Sequence, residues 1–174
     1  MPHWGSAANG EWSQACRLAG IYYIDPCASI EQVLEDIISS ALVITESMHG
    51  AIVSDALRIP WIPIEPILTE HRMKWFDWAS ALGFTINTAK PDVSNAFELA
   101  LAMTRGNKKW AGRIGKRAKF LRKIARNVFI HRAAESLSRI AKTTPSLSTD
   151  RAIERAHETM VDKLEILRQE RSAV

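Results

Sequence analysis

Five residues, Glu46, Ser47, Met48, His49 and Gly50, interrupt two apolar runs with ionisable and polar groups. Before them stands Leu42 to Thr45 (LVIT); after them, Gly50 to Ile59 (GAIVSDALRI) carries the apolar spacing of a helix. In open parallel sheets, ligands bind beyond the carboxyl ends of the strands, where the next helix begins and its unpaired N–H groups attract anions. Histidine titrates near neutral pH, so His49 at such a position suits an acid or an anion clamp. Gly50 lets a ligand approach the backbone. His3 falls at the tip of the opening MPHW and Asp25 at the tip of IYYID, so three neighbouring strand ends are expected to present ionisable groups to one rim.

The elements that would hold this rim follow from periodicity and punctuation. Ile21 to Asp25 is a β-branched and aromatic run closed by Pro26 and is predicted as a strand. Ser29 can cap the next helix, with Gln32 three residues on as in a capping box and Ile30, Val33, Leu34, Ile37 and Ile38 on one apolar face. LVIT is the next strand, and Gly50–Ile59 a helix with Ile52, Val53, Ala56 and Leu57 inward, ended by Pro60. Trp61 to Glu65 is a further strand, in which Pro63 marks an edge or a strand end. Alternation of this kind predicts an α/β domain, a Rossmann-like parallel sheet covered by helices, over residues 1–90.

Residues 91–174 are predicted as a helical extension packing on that domain. Helices are expected from Glu70 to Leu82, stopped by Gly83, from Pro91 to Met103, through a basic stretch to Ala141 that Gly112 and Gly115 could break, and from Asp150 to Arg171. TTPSLST links the last two.

Bulk properties narrow the class. A chain of 174 residues with 47% hydrophobic and 24% charged residues suits one well-buried soluble domain. No apolar run reaches the roughly 18 to 20 residues of a membrane span and no export signal follows Met1, so a cytoplasmic protein is expected. Cys16 and Cys27 lack the spacing of a zinc or redox pair and are predicted to be free thiols. The net charge of +4 is concentrated: residues 99–134 contain eleven lysines and arginines and no acid.

The segment TESMHGAIVSDALRIPWIPI resembles the most recognisable stretch of the polysaccharide pyruvyl transferases. MPHW, YIDP and HRMKWFDWASAL are similar to the branch of that family that forms pyruvate ketals on bacterial exopolysaccharide of the succinoglycan type. The resemblance covers most of residues 1–85 and corresponds to the C-terminal, donor-binding half of a fold like that of two-Rossmann-domain glycosyltransferases. It implies transfer of the enolpyruvyl unit of phosphoenolpyruvate to a sugar of a lipid-linked repeat unit, with no cofactor expected beyond that donor; the sequence gives no reason to invoke a metal and leaves divalent dependence open. Many members carry Arg-Leu-His where this chain has Ser47, Met48 and His49: the histidine matches and the arginine does not. Lys74, Arg72 and Arg58 are therefore candidate cations for the donor's phosphate or carboxylate.

Enolpyruvyl addition needs an acid at the methylene carbon, donors for phosphate and carboxylate, and a base for the sugar hydroxyl. His49 is assigned to the donor site, His3 as base or second anion contact, Glu46 as orienting one imidazole, and Ser47 and Gly50 as substrate-binding residues. Blander roles compete: His49 as a helix-capping surface residue, Trp75 and Trp78 as packing rather than sugar platforms, Asp55 and Arg58 as a surface ion pair, and His131 and His157 as structural. The basic segment 105–132 is by default a solvated helix surface. Trp110, Ile114, Phe120 and Leu121 interleave with its cations and favour peripheral contact with an anionic inner membrane face over nucleic acid, for which no recognition module accompanies the charge. A non-catalytic basic module on a Rossmann scaffold, or an inactive part of the transferase, is the alternative reading.

Overall fold

The computed structural model describes residues 1–65, 72–104 and 119–172. Eight helices and two short strands are defined among them: α1 Trp4–Asn9, α2 Trp12–Ala19, α3 Ile30–Ile38, β1 Val43–Thr45, α4 Met48–Ala56, β2 Trp61–Pro63, α5 Arg72–Ala81, α6 Ala96–Met103, α7 Lys119–Ile140 and α8 Asp150–Ser172. The class is mixed α/β.

The centre is a parallel pair, β1 against β2, with Val43 opposite Trp61 and Thr45 opposite Pro63. Pro63 closes its strand, where its missing N–H costs least. Isolated bridges join Ile64 to Ala89 and Trp61 to Ser146 on the far side of β2. On the other side, the Met1 nitrogen donates to the Ile44 carbonyl and the Glu46 N–H to the Met1 carbonyl, so the chain start lies along β1. The predicted strand over Ile21–Asp25 does not form. Gly20 adopts a left-handed cap (φ 67°) and the Ile21 N–H is spent on the Cys16 carbonyl; the segment then runs extended, burying Ile24 without a ladder to β1.

Ser29 caps α3 as expected, its Oγ accepting from the Gln32 N–H. Its predicted face is only partly used: Ile37 is buried, whereas Ile30, Leu34 and Ile38 are exposed. A sheet this narrow offers α3 room for one edge, that of Val33 and Ile37. α4 is turned from its predicted face. Gly50, Ala51, Ser54 and Asp55 are buried while Ala56 and Leu57 face outward, because small residues let the helix lie directly on β1 and β2. α4 also ends before Pro60, at Leu57, where Arg58 takes a left-handed turn (φ 61°) and the Ile59 N–H reaches back to the Ser54 carbonyl.

The main core gathers Ile24, Ile37, Val43, Ala51 and Trp61 with Trp75 and Ala79 of α5. Trp61 sits 6.1 Å from Trp75 and 5.5 Å from Trp78, so those tryptophans pack the core side of α5. A second cluster joins Trp12, Ala15 and Cys16 of α2 to Ile130, Ala133 and Leu137 of α7. α6 starts at Ala96, five residues later than Pro91, because Asn95 caps it by accepting from the Glu98 N–H. Glu70, His71, the side chain of Arg72, Gly112, Gly115 and most of the basic segment lie outside the described residues. Within them, no helix is long and apolar enough to cross a membrane.

Candidate active site

The β1–α4 turn is built by hydroxyls. Thr45 Oγ1 donates to the Ser47 carbonyl and accepts the Ser47 N–H, both at 3.0 Å, and Ser47 Oγ caps α4 by accepting from the Gly50 N–H. Ser47 is thus occupied in shaping the turn. Gly50 is required by packing: a Cβ there would stand 2.7 Å from both Met1 Sδ and Thr45 Oγ1. Its missing side chain makes room for the neighbouring chain, a purpose the sequence does not reveal.

His3 and Glu46 meet at this end of the sheet. The Glu46 carboxylate accepts from the His3 backbone N–H at 2.9 Å and from Ser6 Oγ at 2.8 Å, and is buried. Glu46 thus fixes the main chain around His3. The His3 Nδ1 accepts from the Gly5 N–H at 3.2 Å, so a neutral ring carries its proton on Nε2. The ring lies 5.3 Å from that of Trp4. His49, three residues past Glu46 in the first turn of α4, is exposed. Strand tip, turn and helix start therefore bring His3, Glu46, Ser47 and His49 to one end of the sheet.

The predicted cations are placed differently. Arg58 stands past the opposite end of α4, where it donates to the Ser148 carbonyl at 2.6 Å and pairs with Asp150 at 2.9 Å. A helix of nine residues rises about 13 Å, which separates Arg58 from the His49 end. Lys74 is exposed on α5. Asp55 does not pair with Arg58 at the surface. It is 1% exposed, accepts from Trp61 Nε1 at 3.0 Å and the Ser148 N–H at 2.8 Å, and makes a short bond with Ser148 Oγ. The TTPSLST segment is thereby strapped across the sheet.

A third buried carboxylate, Glu98, accepts from Trp12 Nε1 at 2.6 Å and from the Ser94 N–H and Oγ at 2.7 Å. Burial raises its pKa, against which the Ser94 and Trp12 bonds act. From sequence alone Asp55 reads as a surface ion-pair residue and Glu98 is not singled out, although Asn95 three residues before it is itself a helix-start signal. Cys16 is buried and Cys27 exposed, both unbridged, and burial raises the Cys16 pKa. A pocket of about 30 Å³ lies beneath the rim, lined by residues including Met1, Trp12, Ile44 and Glu46, with room for no more than a water. Two larger surface cavities lie along α2 and α7, at His131 with Arg139 and at Gln14 with Asn127. Among the described residues, no three His, Cys, Asp or Glu side chains gather as a metal site.

Sequence comparison covers this turn. The family model for polysaccharide pyruvyl transferase matches residues 7–66, which hold β1, the turn and α4. Over that segment the chain is similar to the polysaccharide pyruvyl transferases. The chain is also similar to a curated relative, the succinoglycan biosynthesis protein ExoV of Rhizobium meliloti (strain 1021), at 40% identity over 110 residues. That match covers 63% of this chain and 34% of the relative, so the chain spans about a third of that protein's length. No solved structure matches.

Proposed function

We propose that this chain provides the donor-side portion of a pyruvyl transferase that moves the pyruvyl unit of phosphoenolpyruvate onto a sugar of an exopolysaccharide repeat unit, forming a ketal. The observation carrying this reading is the family match across β1 and α4 together with the polar, exposed end that those elements share.

In the proposed reaction the methylene carbon of the donor takes a proton and becomes a methyl group. One sugar hydroxyl adds to the adjacent carbon, and a second displaces phosphate, so two C–O bonds form and the bond to phosphate breaks. One hydroxyl proton balances that taken up by carbon; the other leaves with phosphate. His49 is the proposed acid or anion contact, since its ring is exposed at a helix start where N–H groups favour an anion. His3 is the proposed base or second contact, its Nε2 carrying the neutral ring's proton, with its main chain held by Glu46. Lys74 and Arg72 are the proposed cations on the donor; Arg58 is left out because Ser148 and Asp150 engage it. The acceptor is proposed to be lipid-linked, approached through the basic segment 105–132 at an anionic membrane face.

Incorporation of label from carboxyl-labelled phosphoenolpyruvate into acid-labile pyruvate on lipid-linked saccharide tests the reading. Transfer by the chain, alone or joined to the rest of a family member, and its loss in His49→Ala are expected; transfer indifferent to that substitution would remove the assignment.

A further inference from the structure

The last helix carries an exposed apolar seam. From His157 to Arg171 every residue of α8 is exposed. Met160, Leu164 and Leu167 are 55–60% exposed, although isolated helices gain little stability in water without an apolar partner. With Ile153, they recur in steps of seven, four and three residues along one stripe, the spacing that lets two helices bury a common seam. Ile153 begins this stripe close to where Arg58 anchors Asp150 to the body of the molecule.

Charge says what fits against the stripe. α8 carries five lysines and arginines (Arg151, Arg155, Lys163, Arg168 and Arg171) against six acids (Asp150, Glu154, Glu158, Asp162, Glu165 and Glu170), so it offers no net attraction to an anionic membrane or to nucleic acid. Glu154, Val161 and Arg168 border one side of the seam at intervals of seven. In an antiparallel pair of identical helices centred near Val161 and Asp162, Glu154 of each lies beside Arg168 of the other, twice by symmetry, Met160 packs on Leu164 twice, and Val161 meets its own copy. A parallel pair would set Lys163 beside Arg168, a like-charge contact made twice and without the Glu154–Arg168 pairs, whereas the antiparallel pair brings Lys163 beside its own copy once.

We propose that α8 is a self-association element that pairs antiparallel with α8 of a second copy of this chain. The full chain forms a concentration-dependent dimer through it. With fewer than three heptads the association is weak, on the order of micromolar.

Sedimentation equilibrium of the full chain tests this. A monomer–dimer equilibrium is expected, abolished by Leu164→Asp, which lies on an exposed helix and leaves the core intact. Arg168→Glu separates the orientations: the antiparallel pair is weakened at least fivefold, because the introduced carboxylate then faces Glu154, and Glu154→Arg in the same chain restores it. Strengthening by Arg168→Glu alone would overturn the antiparallel arrangement. A Cys27→Ser, Val161→Cys chain should form an intermolecular disulfide on mild oxidation; failure to crosslink overturns the same arrangement. A chain that stays monomeric to millimolar concentration, or a dimer indifferent to Leu164→Asp, overturns the proposal.

Discussion

The two ends of α4 are alike in composition and opposite in condition. At its start stand Glu46, Ser47 and His49; at its end, Asp55 and Arg58. At the end, the chain pairs its polar groups internally: Asp55 is bonded to Trp61 and Ser148, and Arg58 to Ser148 and Asp150. At the start, Glu46 and Ser47 are spent on main-chain geometry while the His49 ring faces solvent. The difference teaches that an ionisable residue next to a strand serves architecture where another part of the chain returns to meet it, and is open to a ligand where none of the described residues does.

Removing the strap gives the largest expected effect. Asp55→Ala leaves the Trp61 and Ser148 donors buried without their acceptor and should cost about 3–5 kcal/mol in chemical denaturation, a buried hydrogen-bonded charge being involved. A loss below about 1 kcal/mol would show that water reaches this end and that the contrast is false. Next, Gly50→Ala should destabilise by about 1–3 kcal/mol, since Met1 and Thr45 must yield. If it instead leaves stability unchanged but weakens phosphoenolpyruvate binding, Gly50 serves the ligand rather than the fold. Smaller still is the effect at Arg58, whose left-handed backbone suits glycine: Arg58→Gly should be about 1 kcal/mol more stable than Arg58→Ala, which loses the same contacts and keeps the strain.

Local signals in the sequence were sufficient for the Ser29 cap, for LVIT as a strand and for the packing role of Trp75 and Trp78. They failed where tertiary contacts decide. The inward face of α4 follows small residues rather than large ones, since only Gly50, Ala51 and Ser54 let the helix approach β1 and β2 closely. Ile21–Asp25 has strand composition but lacks a neighbouring ladder. Asp55 was indistinguishable from a surface ion-pair residue because its partner, Ser148, lies 93 positions away. At the candidate site, residue types and order were legible; that Glu46 would hold the His3 main chain, and Arg58 sit at the wrong end, were not.

The contrast between the two ends is tested most directly by calorimetric titration of the chain with phosphoenolpyruvate beside thermal unfolding, wild type against His49→Ala. Loss of an exposed side chain should leave stability within about 0.5 kcal/mol, while affinity falls on the order of tenfold, the worth of one charge-assisted contact. Equal affinity in the two chains, or no binding by the wild type, would contradict a donor site at the start of α4.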